Sequence, residues 1–270
     1  MHPILIQIGP ITVPTYGFLF ALGVLLGFLV NLRLARREGI DLKAYADFVF
    51  YLLLCSLLGA KIFLFLTNAG YYIRFPSELK YLLTSGGTFQ GGLIAGAVFA
   101  VWFLRRHRLN FRRLGDATVP GLALGHFFGR LGCLSAGCCW GRECAGFPLG
   151  VIFSSDKAHS LTGVPLHIPL YPTQPVEAIL NLANFLILLL AFKRRTYKGQ
   201  VFALYVFNYS LIRFCTEYFR GDEDRGFIWS TPGSPWLSLS VPQVISICGV
   251  ILAFVLFRLF RKKGEKENLS

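Results

Sequence analysis

The sequence predicts an all-α integral membrane protein of seven transmembrane helices, with its N-terminus outside and its C-terminus in the cytoplasm. Three observations carry this reading. Hydrophobic residues make up 54% of the chain and charged residues only 15%, against roughly 25% charged in a soluble domain; the mean hydropathy is +0.55. The apolar residues gather in seven runs that approach the ~20 residues needed to cross a hydrocarbon core. The lysines and arginines fall in short clusters between alternate runs. A net charge of +13 would suggest nucleic acid in a soluble chain. Distributed this way it is the positive-inside pattern, so nucleic acid is set aside as a partner.

In chain order, residues 1–14 are apolar but broken by Pro3, Pro10 and Pro14, and are expected to lie along the membrane surface. The spans are then expected at 15–34, 45–67, 88–104, 117–136, 172–192, 200–219 and 241–260, all within a single membrane domain, 1–270. The first run reads as a span and not a signal peptide, since no Lys or Arg precedes it and no clear small-residue cleavage site follows. Before the third span comes a glycine-rich approach, Gly86-Gly87-Thr88-Phe89-Gln90-Gly91-Gly92. A long polar loop, 137–171, separates spans four and five, and an acidic loop, Asp222-Glu223-Asp224, follows span six.

Orientation follows from counting. The segments after spans one, three, five and seven hold four, five, four and five Lys+Arg (Arg33–Lys43, Arg105–Arg113, Lys193–Lys198 and Arg258–Lys266). The intervening loops hold about two each, which places the richer loops in the cytoplasm.

With that topology the polar residues inside the spans sort by depth. Tyr16 opens span one on the outer side, and Lys61 lies in the outer half of span two. Gln90 starts span three, Arg130 is toward the outer end of span four, and Glu177 is near the outer start of span five. Arg213 and Glu217 are near the outer end of span six. These seven residues come from six helices and share one leaflet. Intramembrane charges pair with one another or mark substrate sites, so interhelical pairs such as Glu177 with Lys61 or Glu217 with Arg213 are the bland alternative. Three basic groups (Lys61, Arg130, Arg213) against two acids leave a positive surplus at headgroup depth. Arginine's planar fork suits phosphate oxygens, and a phospholipid headgroup is the expected ligand. Asp47 and Asp116, at the inner ends of their spans, read as helix-end contacts.

The stretch Gly125–Arg142, GHFFGRLGCLSAGCCWGR, combines His126 and Arg130 with a glycine- and cysteine-rich turn. Four of the seven cysteines, Cys133, Cys138, Cys139 and Cys144, fall here. Structural disulfides are the leading reading, because the loop faces an oxidising compartment. A metal site is set aside, since the spacing matches no familiar zinc pattern and adjacent cysteines chelate one ion poorly. A reactive thiolate near Arg130 and Arg142 is the minority reading.

At these residues the sequence resembles the bacterial prolipoprotein diacylglyceryl transferases. The family's opening Tyr-Gly is similar to Tyr16-Gly17, its Gly-Ala-Arg to Gly59-Ala60-Lys61, and its Phe-His-Gly-Gly-Leu to Phe89-Gln90-Gly91-Gly92-Leu93. Its signature Gly-Arg-x-Gly-Asn-Phe-x-Asn-Gly-Glu runs along Gly129 to Cys138. Its Pro-x-Gln-x-x-Glu-Ala resembles Pro172 to Ala178, and its Arg-Phe-x-x-Glu-x-x-Arg resembles Arg213-Phe214, Glu217 and Arg220. Among the departures from the pattern, the family histidine is Gln90, the signature asparagine is Cys133 and the signature glutamate is Cys138.

The resemblance implies transfer of diacylglyceryl from phosphatidylglycerol to the thiol of a cysteine in a prolipoprotein signal peptide, at the bacterial cytoplasmic membrane. It implies no cofactor and no metal, and a monomer. It places Arg130, Arg213, Tyr16, Gln90 and Glu177 at the chemistry, and Arg130, Arg213, Lys61, Gly91, Gly92, Glu217 and Arg220 against the lipid. His126, one turn before Arg130, is either a substitute base or a packed, hydrogen-bonded histidine. The competing reading from another class is a phospholipid-binding or translocating membrane protein without catalysis. A transporter of that kind usually shows repeated halves and a midplane site, and neither is seen.

Overall fold

The structure is a computed structural model and describes residues 3–9, 11–84, 87–222, 226–229 and 238–268. Pro10, Gly86, Glu223 and Asp224, named above, lie outside the described residues. After a hairpin of β1 (Ile4–Ile8) and β2 (Ile11–Pro14) come α1 (Thr15–Arg37), α2 (Leu42–Thr67), α3 (Ala69–Arg74), α4 (Leu79–Thr84), α5 (Phe89–Arg106) and α6 (Phe111–Ala136). Then follow β3 (Val151–Ile152), α7 (Asp156–Thr162), β4 (Pro169–Leu170), α8 (Thr173–Arg194) and α9 (Gln200–Glu217). The chain closes with β5 (Phe227–Trp229), β6 (Leu239–Ser240) and α10 (Val241–Asn268). The protein is mostly helical, and α1, α2, α8 and α10 are long and apolar enough to cross a membrane.

The distribution of side chains is inverted relative to a soluble protein. On α8 the buried positions include Thr173, Gln174, Glu177, Asn181 and Asn184, while Ile179, Leu186, Ile187 and Leu190 stand exposed. On α2, Phe50, Leu57, Ile62 and Leu66 are exposed in the same way. Apolar residues outside and polar residues inside are what a lipid solvent selects.

The chain forms two compact units, residues 1–34 with 115–270, and residues 35–114. In the second unit α2 is capped by Asp41, whose carboxylate accepts from the N–H of Lys43 and Ala44, a standard helix start. Its small residues pack α2 against α5. A Cβ on Gly91 would lie 2.5 Å from the Gly59 carbonyl oxygen and 2.3 Å from the Phe63 Cβ, so only glycine lets the backbones approach this closely.

In the first unit α1 packs on α6 where Pro120 interrupts the helix. Proline breaks the regular hydrogen-bond ladder, and the N–H of Gly121 is bonded to the Asn31 side chain at 2.8 Å. Asp116, fully buried on α6, joins the α8–α9 turn. Its carboxylate accepts from the N–H of Gly199 (2.7 Å) and Phe202 (2.8 Å) at the start of α9, and pairs with Arg195 at 3.0 Å. The helix-end contact expected of Asp116 is therefore the observed one. The start of α10 is a reciprocal capping box: the Ser240 N–H donates to Gln243 Oε1 at 2.9 Å and the Gln243 N–H donates to Ser240 Oγ at 3.4 Å, matching the Ser-x-x-Gln pattern.

The structure adds to two expectations. The first residues are not just an apolar segment broken by prolines: Ile6 pairs with Val13 and Gln7 with Thr12 in an antiparallel hairpin turning through Gly9, φ 57°. The alternating β-branched residues favour strands. The stretch 137–171 is not just a polar loop either. It folds around a small core of Phe153, Ala158, Val164 and Leu170, packed by Leu134, Trp140 and Val151, and is closed by pairing of β3 with β4. Its apolar residues fall in short stretches such as Val151-Ile152-Phe153, far below the length of a span, which hides the core from a hydropathy reading.

Removing Asp116 takes away the buried carboxylate that Arg195 and the N–H groups of Gly199 and Phe202 share. Breaking a buried ion pair from one side costs about 3–5 kcal/mol, so Asp116→Ala is expected to lower the thermal midpoint of the detergent-purified protein well below that of a surface control such as Glu265→Ala. A midpoint equal to wild type would show that Asp116 does not hold the turn.

Candidate functional site

Four charged side chains from three helices of the first unit form a ladder. Arg130 Nη2 on α6 meets Glu177 Oε1 on α8 at 2.9 Å. Glu177 Oε2 meets Arg213 Nη1 on α9 at 3.3 Å, and Arg213 Nη2 meets Glu217 Oε2 at 2.7 Å, one turn along the same helix. The Ser240 hydroxyl donates to Glu217 Oε1 at 3.2 Å, which ties the α10 cap to the end of the ladder. Two cations and two carboxylates alternate, as buried charges must when no water compensates them.

Among the described residues, Arg130 and Arg213 are matched by Glu177 and Glu217. Lys61 is on the other unit and donates to the Leu82 carbonyl at 2.8 Å. Glu217 pairs with Arg213 as the bland alternative had it, but within one helix and not between helices. The exposure of the four groups differs in a way that matters. The Glu177 and Glu217 side chains are 2% and 1% exposed, while those of Arg130 and Arg213 keep 15% and 12%. The arginine side chains, and not the carboxylates, are therefore the part of the ladder that an arriving anion can reach.

Other expected residues settle around this ladder. Tyr16 packs on Gly132, where a Cβ would lie 2.9 Å from its ring. His126 is bonded to the Tyr205 hydroxyl at 3.1 Å and packs on the Tyr209 ring at 4.6 Å between centroids, the arrangement of the packed histidine. Arg220, just past α9, pairs bidentately with Asp222 through Nε at 2.8 Å and through Nη2. Burial works against its charge, and the Asp222 carboxylate more than offsets it, holding Arg220 above its ordinary value. Gln90, Gly91 and Gly92 lie on the second unit. Gln90 is exposed, and Gly91 has the packing role described above.

The cysteines differ most from expectation. All seven are free thiols, Cys133, Cys138, Cys139 and Cys144 included, so the structure has no disulfide among its described residues. Adjacent residues have Cα atoms ~3.8 Å apart, shorter than the usual range for a bridge, which disfavours Cys138–Cys139. Cys144 is 4% exposed in the folded 137–171 segment, bonded through its N–H to the Pro169 carbonyl at 2.9 Å. The other three sulfurs lie within 4.8 Å of one another. Hydrogen bonds from the Cys133 and Cys138 thiols, with Arg220 and Arg130 nearby, hold the Cys139 thiol well below its ordinary value although burial opposes this.

Several residues of the site were not anticipated. Thr173 Oγ1 donates to the Cys139 carbonyl and Gln174 Nε2 to the Cys138 carbonyl, both at 3.0 Å. Asn181 Nδ2 donates to the Glu177 carbonyl at 2.8 Å, and Asn208 Nδ2 to Asn184 Oδ1 at 2.9 Å. A signal for these existed: Gln174, Glu177, Asn181 and Asn184 stand at helical spacing on an otherwise apolar segment, a polar stripe that must face the interior. Beside the stripe is an apolar cavity of about 310 Å³ lined by Phe147, Tyr171, Val176, Thr216 and Phe219.

A mostly helical chain with lipid-suited outer faces and a largely buried ladder of charges inside is a multi-pass membrane protein with an internal polar site. Sequence comparison makes the class specific. A family model described as "Prolipoprotein diacylglyceryl transferase" matches residues 3–259, and the chain belongs to that family. It is 32% identical over 268 residues to phosphatidylglycerol–prolipoprotein diacylglyceryl transferase 2 of Clostridium perfringens, covering 99% of both chains. It is 28% identical to the transferase of Clostridium tetani (97% of this chain, 100% of the relative) and 31% identical to that of Francisella tularensis subsp. novicida (100% and 98%).

Proposed function

We propose that this protein moves a diacylglyceryl group from phosphatidylglycerol to the thiol of a prolipoprotein cysteine. The full-length relatives carry that activity in their names, and the exposure pattern of the ladder supports it most directly. The donor's phosphate meets Arg130 and Arg213, each held in place by Glu177. In the step, the acceptor sulfur, its proton given up, forms a bond to the glycerol carbon that bears the phosphate ester. The bond from that carbon to the ester oxygen breaks, and glycerol phosphate leaves with the electron pair. Guanidinium groups facing the ester oxygens stabilise the charge that develops there. Tyr16, against Gly132 one residue from Cys133, borders the same place. Arg220 and Glu217 act through position, as partners of Asp222 and Arg213. The 310 Å³ apolar cavity suits part of an acyl chain. The residues of the first unit carry this proposal; Lys61, Gln90, Gly91 and Gly92 lie on the other unit.

The setting proposed for this chemistry is seven spans in the bacterial cytoplasmic membrane, with the N-terminus outside, the C-terminus inside and the protein acting as a monomer. The alternation of Lys/Arg clusters and the four apolar helices support it. Single-cysteine labelling, in a background without native cysteines, is expected to tag the 105–113 segment only from the cytoplasmic face. Tagging of intact cells by an impermeant reagent would overturn this topology.

Purified variants in phosphatidylglycerol micelles test the chemistry, with incorporation of diacylglyceryl into a signal-peptide cysteine as the readout. Arg130→Ala and Arg213→Ala are each expected to lose ~10²–10³ in rate, the usual cost of removing a donor at a developing negative charge. Arg130→Lys is expected to remain impaired, because an ammonium does not reproduce the planar fork. Normal turnover by both alanine variants would move the phosphate site elsewhere.

A further inference from the structure

Cys133, Cys138 and Cys139 are brought to one point by three separate devices. The end of α6 folds over Cys133: the N–H groups of Gly137 and Cys138 both donate to its carbonyl, at 2.9 and 3.1 Å, with Gly137 in the left-handed conformation at φ 80°. This is a glycine-dependent helix C-cap, and it turns the Cys-x4-Cys spacing into close neighbours. Cys139 then adopts a left-handed φ of 59°, a conformation that non-glycine residues hold only when the surroundings impose it. The surroundings are Thr173 and Gln174, 4% and 1% exposed, whose side chains fix the carbonyls of Cys139 and Cys138. The spacing argument against a shared ligand therefore fails in three dimensions.

The sulfur geometry points the same way. Three sulfurs within 4.8 Å of one another offer a single ion three ligands at once. Zinc–sulfur bonds of about 2.3 Å in a tetrahedral site set sulfurs about 3.8 Å apart, within the spread seen here. Three protein ligands with one position left over is also the arrangement of reactive zinc sites.

We propose that Cys133, Cys138 and Cys139 bind one thiophilic metal ion of the zinc class, and that its fourth position takes the sulfur of the acceptor cysteine. The second half rests on the transfer reading above. Binding releases the acceptor's thiol proton to water, and the sulfur keeps its electron pair as a metal-bound thiolate; no oxidation occurs. The ion would thereby supply an ionised nucleophile beside Arg130, where the neighbouring His126 is engaged with Tyr205.

Wild-type protein purified in detergent, treated with chelator under reducing conditions and reloaded with Co²⁺ tests both halves. A thiolate-to-cobalt charge-transfer band is expected at about one equivalent per chain, lost in Cys133→Ser and kept in Cys144→Ser. Adding a signal peptide with its cysteine is expected to raise the band by about a third, as three thiolates become four; the same peptide with serine is not. Absence of the band from wild type, or a mass showing two of the three thiols joined as a disulfide under the same reducing conditions, would overturn the metal site. A band that the cysteine peptide leaves unchanged would overturn the acceptor position. Diacylglyceryl transfer is assayed separately on native protein, so failure of the transfer reading registers independently of metal binding.

Discussion

Glu177 is the residue on which the site depends. One carboxylate, 1% exposed, bridges two arginines from different helices, 2.9 Å from one and 3.3 Å from the other. Burying three charges together is costly unless each is paired, and the bridge satisfies that condition while fixing both guanidinium planes. It also joins α6, α8 and α9 through their polar faces, which matters in lipid because burial of apolar surface does not drive these helices together.

From this bridge the supporting structure extends along both helices. Glu217 holds the other side of Arg213, and Ser240 holds Glu217 while serving as the cap of α10. Toward the start of α8, Gln174 and Thr173 reach the carbonyls of Cys138 and Cys139. The cysteine turn is therefore positioned from the same helix face that carries Glu177. The 137–171 segment, with its own small core, keeps this turn in place. Its residue Arg142 donates from its N–H to the Phe219 carbonyl at 2.8 Å, and Gly221 donates to the Trp140 carbonyl at 2.9 Å, fastening the end of α9 to the turn.

Depth was legible in the sequence and direction was not. Hydropathy and charge alternation put Arg130, Glu177, Arg213 and Glu217 near one level, and the family resemblance named the same residues. Which of them would pair depended on the azimuth of each helix, which hydropathy and charge counting do not give. The polar stripe Gln174, Glu177, Asn181 and Asn184 contained the azimuth of α8, had its period been read. Gly91 was placed correctly along its helix but faces α2, where it is needed for packing. The cysteines illustrate a different limit: a linear spacing carries no information about a helix cap, and Gly137 reverses the chain between Cys133 and Cys138. The β1–β2 hairpin was hidden by prolines that suggested irregular structure, although Ile4, Ile6 and Ile8 alternate in the strand manner.

Two physical accounts of the arginines make opposite forecasts for a single substitution. If net positive charge attracts the lipid, removing a neighbouring carboxylate strengthens binding. If Glu177 acts by holding both guanidinium forks toward the phosphate, removing its charge weakens binding despite the gain in positive charge. The deciding measurement is the rise in thermal midpoint that phosphatidylglycerol produces in Glu177→Gln compared with wild type, each against a neutral lipid of the same chains. A smaller rise in the variant is expected from the bridged ladder, and an equal or larger rise would contradict it.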